Sequence, residues 1–183
     1  YLIAVTQSLQ GATKQLLDSW SPAGENFQMN LISAGKSGSI YPSQKSALQE
    51  LVNGMIGIAD EVGNGKINDP FSQENLLYEE SRFSNNSKAD FADNIRSIEN
   101  VYTGSLDGTS AEGFSDFVID QDKELDTKVK SQIADAIEKI ESIPGTFGEA
   151  VFNNKPAVQA AQDAVRLLQQ TLESEVKPLL DKL

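Results

Sequence analysis

The chain has 183 residues, of which 39% are hydrophobic and 23% charged, a composition typical of a globular domain. Its net charge of -12 argues against binding to nucleic acid or to an anionic membrane surface, because both need clustered Lys and Arg. Cys and His are both absent, which excludes disulfides, thiolate zinc sites, His-based nucleophile pairs and HExxH metal sites within this chain.

The first predicted helix covers residues 1–20. Its apolar residues keep helical spacing from the second residue onward, with no capping residue ahead of them. They are Leu2, Val5, Leu9, Ala12, Leu16 and Trp20. We therefore expect the chain to begin inside a helix and to be part of a longer protein. A Ser-Pro-Ala-Gly stretch ends this helix, and the following loop is predicted to be partly extended over residues 26–33.

Four further helices are predicted. Ser43 caps the second, which the glycines of "GNGKINDP" end. The third begins at a Ser87 cap, three residues before Asp90, and ends at Gly104. A loop over residues 105–113 and a short apolar piece precede the fourth helix, residues 122–143, and Pro156 opens the fifth. Five helices with one apolar stripe each predict an all-α bundle in a single portion spanning residues 1–183.

Two acidic segments have simpler explanations than a metal site. "DEVGNGKINDPF" partly resembles a calcium loop, but Val62 and Phe71 stand where oxygen ligands are needed. "DQDKELD" gathers four carboxylates at a helix start, where they complement the helix dipole. Any metal held by this chain alone would need oxygen ligands only. No apolar run reaches the ~18 residues that a bilayer span requires, so no transmembrane segment is predicted.

The segment "YEESRFSNNSKAD", before the third helix, is the strongest candidate for a binding site. Capping accounts for Ser87 and Asp90, but it leaves the neighbouring polar residues unexplained. Phe83 and Tyr78 are expected to anchor this loop against the bundle, and would thus pull its polar groups toward a half-buried position. The candidate binding residues are Glu80, Ser81, Arg82, Ser84, Asp90 and Asn94.

The sequence "EESRFSNNSKADFADNIRSIENVYTG" resembles the second half of the imelysin family, also known as insulin-cleaving metalloprotease-like and iron-regulated proteins. The specific part is the Glu-Ser-x-Phe-Ser to Asp run. The helical segments "LLDSW", "ALQELVNGMIGIADEV" and "AVQAAQDAVRLLQQTLESEVKPLL" follow the expected order, but they are generic.

The resemblance implies an all-helical fold of two bundle-like halves, a bacterial protein in the periplasm or anchored at the outer membrane, and a link to iron uptake. It also implies that the family's GxHxxE motif lies in an N-terminal half absent from this His-free chain. That half would then be the first partner of this one. Iron, another divalent metal or a small ligand would be the bound species, with no nucleic acid involved.

Two functions remain open at this stage. The first is a non-catalytic binding protein of iron acquisition, with a polar site around residues 80–90 that faces the other half. The second is a metallopeptidase whose His and Glu motif lies in that other half, so that this chain alone does not cleave peptides. A bundle with no ligand is a third reading.

Overall fold

The computed structural model describes residues 1–106, 109 and 111–183, and part of the predicted 105–113 loop therefore lies outside the described residues. The described chain is all-α, and the β pairing found in it is one isolated bridge between Leu106 and Thr109. It contains nine α-helices: α1 (Leu2–Trp20), α2 (Gln28–Ile32), α3 (Gln44–Asp60), α4 (Asn68–Ser72), α5 (Ser87–Thr103), α6 (Phe114–Gln121), α7 (Lys123–Glu141), α8 (Phe147–Asn153) and α9 (Lys155–Thr171). The predicted helical class is confirmed.

The prediction of five helices was too low because short helices occupy the predicted connections. Residues 26–33 contain α2 rather than an extended segment, the apolar piece after the 105–113 loop is α6, and α8 follows α7. A capping box explains α8: the Thr146 hydroxyl accepts from the Glu149 N–H at 3.2 Å, and the Glu149 carboxylate accepts from the Thr146 N–H at 3.0 Å. The last helix also differs from its prediction, because a π-helical turn (Leu172–Val176) and a 3-10 turn (Lys177–Lys182) follow α9.

By backbone packing the chain forms two compact units, residues 1–48 and 49–183. In the first unit, the rings of Trp20 and Phe27 meet edge to face at 5.0 Å. The Ser43 hydroxyl accepts from the Ser46 N–H at 3.1 Å, which confirms the predicted cap at the start of α3.

The second unit contains the larger core. Helix α7 packs against α5, α6 and α9, and α8 packs against α9. The stripe predicted for α5 is confirmed, since its four apolar residues are fully buried. They are Phe91, Ile95, Ile98 and Tyr102. Phe91 meets Phe147 of α8 edge to face at 5.2 Å.

A buried carboxylate, Asp126, joins α5, α6 and α7, and together with Tyr102, Ser115 and the partly exposed Lys130 it forms what we call the buried carboxylate cluster. Asp126 is only 4% exposed. Its Oδ1 accepts from Ser115 Oγ at 2.7 Å and from Tyr102 OH at 3.2 Å, and its Oδ2 accepts from Lys130 Nζ at 2.9 Å. Asp126 was predicted only as part of the charge at a helix start, whereas its carboxylate ties three helices together.

The helix that begins with α3 does not stop at the predicted glycines. It widens into a π-helical turn (Glu61–Lys66) and continues as α4. Gly63 lies tightly against α9, because a Cβ there would be 3.2 Å from Val165 Cγ1. Asp60 and Asn64, two of the residues that resembled a calcium loop, bond to each other and to Gln169 of α9. The turn positions Lys66 for the site described next.

None of the helices in the described residues combines the length and hydrophobicity that a bilayer span requires.

Candidate functional site

The predicted binding segment forms an irregular turn between a short 3-10 turn (Leu76–Tyr78) and α5. Ser81 and Asn85 adopt left-handed backbone conformations, with φ of 58° and 57°, which are uncommon for residues other than glycine. Phe83 lies between them and is 89% exposed, and Tyr78 is 52% exposed. The prediction that these two aromatic residues anchor the loop was therefore wrong.

The buried anchor of this turn is a hydrogen-bonded pair, Glu79 and Ser87. The Ser87 hydroxyl donates to Glu79 Oε1 at 2.7 Å and also lies against the carbonyl oxygen of Glu80. Gly148 of α8 permits this arrangement, because a Cβ there would lie 2.7 Å from Glu79 Oε2. No sequence pattern indicates that Glu79, rather than Glu80, is the enclosed carboxylate.

The predicted Ser87 cap is wrong. Ser87 is the first residue of α5, and Asn86 stands at the N-cap without a side-chain cap bond. The Asn86 amide instead donates to Asp90 Oδ1 at 2.7 Å. Asp90 Oδ2 is buried and has no hydrogen-bond partner among the described residues. One carboxylate oxygen of the predicted site is therefore left without a donor from the described chain.

Glu80 and Asn94 are brought together by Lys66, which the sequence reading did not include. Lys66 Nζ lies 3.0 Å from Glu80 Oε2 and donates to Asn94 Oδ1 at 3.0 Å, and Glu61 is 3.5 Å away. Burial lowers the pKa of Lys66, but the hydrogen bond and charge of Glu80, with those of Glu61, outweigh it and raise that pKa. We call Lys66, Glu80 and Asn94 the Lys66 cluster.

The Lys66 cluster is only partly enclosed. The Lys66 side chain is 20% exposed and that of Glu80 is 43% exposed. An ion pair with this much solvent contact can exchange partners at small energetic cost. The carboxylate of Glu80 is therefore held in place, but it remains accessible from outside.

Arg82 and Phe83 border an open groove with a volume of about 620 Å³. Its lining residues come from the turn and from α8 with its N-cap, and include Glu79, Arg82, Phe83, Asn85, Thr146, Glu149 and Phe152. The Arg82 guanidinium carbon lies 4.5 Å from the centre of the Phe83 ring, a cation–π contact. No carboxylate in the described residues lies within ion-pairing distance of Arg82. The groove therefore presents a cation that makes no direct ion pair, beside an exposed aromatic ring, and the carboxylates of Glu79 and Glu149 also lie on its lining.

The remaining predicted residues bond locally. Ser84 is exposed, and its hydroxyl donates to the carbonyl oxygen of Ser81 at 3.1 Å. Ser81 itself is half-buried in the turn. Of the predicted set, the structure thus joins Glu80 to Asn94, places Arg82 on the groove, and gives Ser81 and Ser84 a role in the turn.

These residues do not fit a metal ion. Lys66 holds a positive charge 3.0 Å from the Glu80 carboxylate, the position that a cation would need. In residues 1–106, 109 and 111–183, no group of three or more Asp or Glu side chains has the arrangement of a metal site. The cations of this site, Lys66 and Arg82, are hydrogen-bond donors, and they suit a polar or anionic ligand better than an iron ion.

Comparison with known proteins identifies the family of this chain. The Imelysin family model matches residues 1–174. Iron-regulated protein A of Synechococcus elongatus is 28% identical, over 98% of this chain and 52% of that protein. The chain belongs to the imelysin family.

Two solved structures share the fold. An imelysin peptidase from Bacteroides ovatus superposes with a TM-score of 0.78 at 32% identity, over 90% of this chain and 49% of that chain. A protein described as an iron-regulated protein A precursor, from Parabacteroides distasonis, gives a TM-score of 0.69 at 27% identity, over 82% and 45% of the two chains. The chain thus spans about half the length of the relatives it matches.

Proposed function

We propose that this chain supplies a binding surface of an imelysin-family protein that acts in bacterial iron acquisition, in the periplasm or at the outer membrane. The names of two similar proteins, both iron-regulated protein A, support the link to iron. The observation that carries the proposal is Arg82, a cation without a carboxylate partner in the described residues, stacked on an exposed Phe83 at the rim of a groove.

The ligand we propose is anionic. A guanidinium group recognises carboxylates through paired N–H donors, and an adjacent aromatic ring keeps that group in place. Iron would then reach this surface as an anionic chelate rather than as a bare ion, since the Lys66 cluster does not suit a metal. Glu80 and Asp90 Oδ2 remain able to accept hydrogen bonds from the rest of the protein or from the ligand.

The test measures the binding of ferric citrate and of citrate alone to the intact protein by titration calorimetry. We expect Arg82→Ala to weaken ferric citrate binding at least about tenfold, the loss of one charge-assisted contact. Arg96→Ala is the matched control, because Arg96 is already paired with Asp93 and Glu141. Equal affinity of Arg82→Ala and the unaltered protein would contradict the proposal, as would the absence of any ferric citrate binding.

A second function is favoured by the similarity to the imelysin peptidase of Bacteroides ovatus. In that case the intact protein is a metallopeptidase whose catalytic residues lie outside these 183 residues. Chelator-sensitive peptide hydrolysis by the intact protein would support it. We expect the 183-residue chain alone to show no such hydrolysis, because it contains neither His nor Cys.

A further inference from the structure

The apolar stripe of α3 changes its spacing at the π-helical turn (Glu61–Lys66). Up to this turn its buried residues follow spacings of three and four: Val52, Met55, Ala59 and Val62. A further four-residue step from Val62 would place Lys66 on the buried face. The next buried side chain is instead Ile67, five positions on, whose N–H donates to the carbonyl oxygen of Val62 at 2.9 Å. The turn therefore contains one residue more than a regular helix would.

This extra residue takes Lys66 off the buried face. One residue corresponds to ~100° of rotation about a helix axis, and the wider hydrogen-bond pattern of a π-helical turn accommodates it. Lys66 keeps 20% of its side chain exposed, and its Nζ lies 3.0 Å from both Glu80 Oε2 and Asn94 Oδ1. On the buried face the same charge would need an enclosed partner. The position of Lys66 thus follows from the register of the turn.

Two polar side chains of α9, one helical turn apart, contact this π-helical turn. Gln162 Nε2 donates to the carbonyl oxygen of Gly63 at 3.0 Å and to Asn68 Oδ1 at 3.2 Å. Arg166 Nε donates to Asn64 Oδ1 at 2.7 Å, and its guanidinium group also donates to Asn68 Oδ1 at 3.1 Å. Because Gly63 and Asn64 lie within the turn and Asn68 follows it, α9 contacts the chain before and after Lys66.

The turn itself has little preference for this register. It contains Gly63 and Gly65, which have low helix propensity and no side chains to pack. Packing against α9 is tight, because a Cβ on Gly63 would lie 3.3 Å from Arg166 Cγ. Gln162 is 2% exposed, so water does not replace its hydrogen bond to the turn. Helix α9 is thus the element in a position to hold the register.

We propose that Gln162 and Arg166 are positioning residues for the Lys66 cluster. They hold the turn in its π-helical register, and this register places Lys66 between Glu80 and Asn94. The contacts of α9 would therefore determine how the Glu80 carboxylate is held. The inference rests on the proposed function only for a role of this cluster in binding, since the register is a property of the chain without ligand.

Reductive methylation of lysines in the intact protein, without any ligand, tests this proposal. Peptide mass spectrometry follows Lys66, with the exposed Lys123 as the internal reference. Gln162→Met removes the amide and keeps an unbranched side chain of similar length. Ser115→Ala is the matched control, because it also removes a buried hydrogen bond, but one made to Asp126 rather than to the turn.

We expect the methylation rate of Lys66, relative to that of Lys123, to rise at least about threefold in Gln162→Met, because Lys66 then loses a half-exposed ion pair. Ser115→Ala should leave this ratio unchanged. An unchanged ratio in Gln162→Met would overturn the proposal. Equal rises in Gln162→Met and Ser115→Ala would overturn it as well, because they would indicate a general loosening of the unit.

Arg166→Met provides a second, milder variant, since Arg166 is only half-buried. If Gln162→Met does not fold, Arg166→Met is judged against Ser115→Ala by the same criterion. Ferric citrate takes no part in this measurement, so the positioning role and the binding surface proposed above can fail independently of each other.

Discussion

Two carboxylates in the second unit, Asp126 and Glu80, each pair with a lysine, but their surroundings differ. Asp126 is enclosed between three helices and accepts hydrogen bonds from a serine, a tyrosine and a lysine. Glu80 keeps 43% of its side chain exposed and pairs with Lys66 from one side. A carboxylate whose acceptor positions are occupied from several helices fixes the fold, whereas a half-exposed one can accept a further partner.

The same contrast applies to the cations. Lys130 completes the buried carboxylate cluster, and Lys66 is held between Glu80 and Asn94. Arg82, however, makes a cation–π contact with Phe83 and no ion pair among the described residues. Charged side chains that stabilise a fold are neutralised within it. The turn around Arg82 therefore has the features of a surface that meets another molecule or another part of the protein.

The largest effect on stability is expected from Asp126→Ala. This change leaves the buried Tyr102 and Ser115 hydroxyls without their acceptor, at about 1–3 kcal/mol each, so we expect the free energy of unfolding to fall by about 2–6 kcal/mol. Glu80→Ala, which removes a half-exposed ion pair, should cost no more than about 1 kcal/mol. Urea unfolding followed by circular dichroism measures both, and equal losses would contradict the contrast between the two regions.

A smaller effect is expected from Ser87→Ala. The change removes the donor to the buried Glu79 carboxylate, which should cost about 1–3 kcal/mol. Ser84→Ala is the matched control, because this exposed hydroxyl bonds only within its own turn, and its effect should stay within about 0.5 kcal/mol. If both serines gave the same small loss in urea unfolding, the Glu79–Ser87 pair would not be the anchor of the turn.

The sequence predicted well what depends on local pattern. The α5 stripe, the Ser43 cap and Pro156 in the first turn of α9 are confirmed, because spacing and capping chemistry act within a few residues. The Thr146–Glu149 capping box could have predicted α8 by the same reasoning. Family membership also followed from a short specific run of polar residues.

The site was predicted less well because its contacts are not local. Lys66 reaches Asn94 across 28 positions, from a π-helical turn that continues α3 past the glycines where that helix was predicted to end. Phe83 is exposed where hydrophobicity predicted burial, in a turn with left-handed backbone at Ser81 and Asn85. Neither feature follows from composition or periodicity.

The smallest expected effect is on the pH dependence of stability, to which the two regions should contribute differently. Burial, together with the charge and hydrogen bond of Asp126, raises the pKa of Tyr102 well above its ordinary value. Below about pH 10 the phenol keeps its proton in both the folded and the unfolded chain, so Tyr102 adds no pH dependence. Above about pH 10 only the unfolded chain releases the proton, and stability should fall by up to about 1.4 kcal/mol per pH unit.

Tyr102→Phe should therefore flatten the loss of stability between about pH 10 and 11, although it lowers stability at neutral pH by about 1 kcal/mol through the lost hydrogen bond. The pKa of Lys66 is also raised, so its pair with Glu80 stabilises the fold below about pH 10.4 and that contribution is lost at higher pH. Because this pair is half-exposed, Lys66→Met should change the alkaline slope less than Tyr102→Phe does. Urea midpoints measured from pH 8 to 11 provide the slopes. If Lys66→Met changed the alkaline slope more than Tyr102→Phe does, the Lys66 cluster, rather than the buried carboxylate cluster, would be the one that fixes the fold.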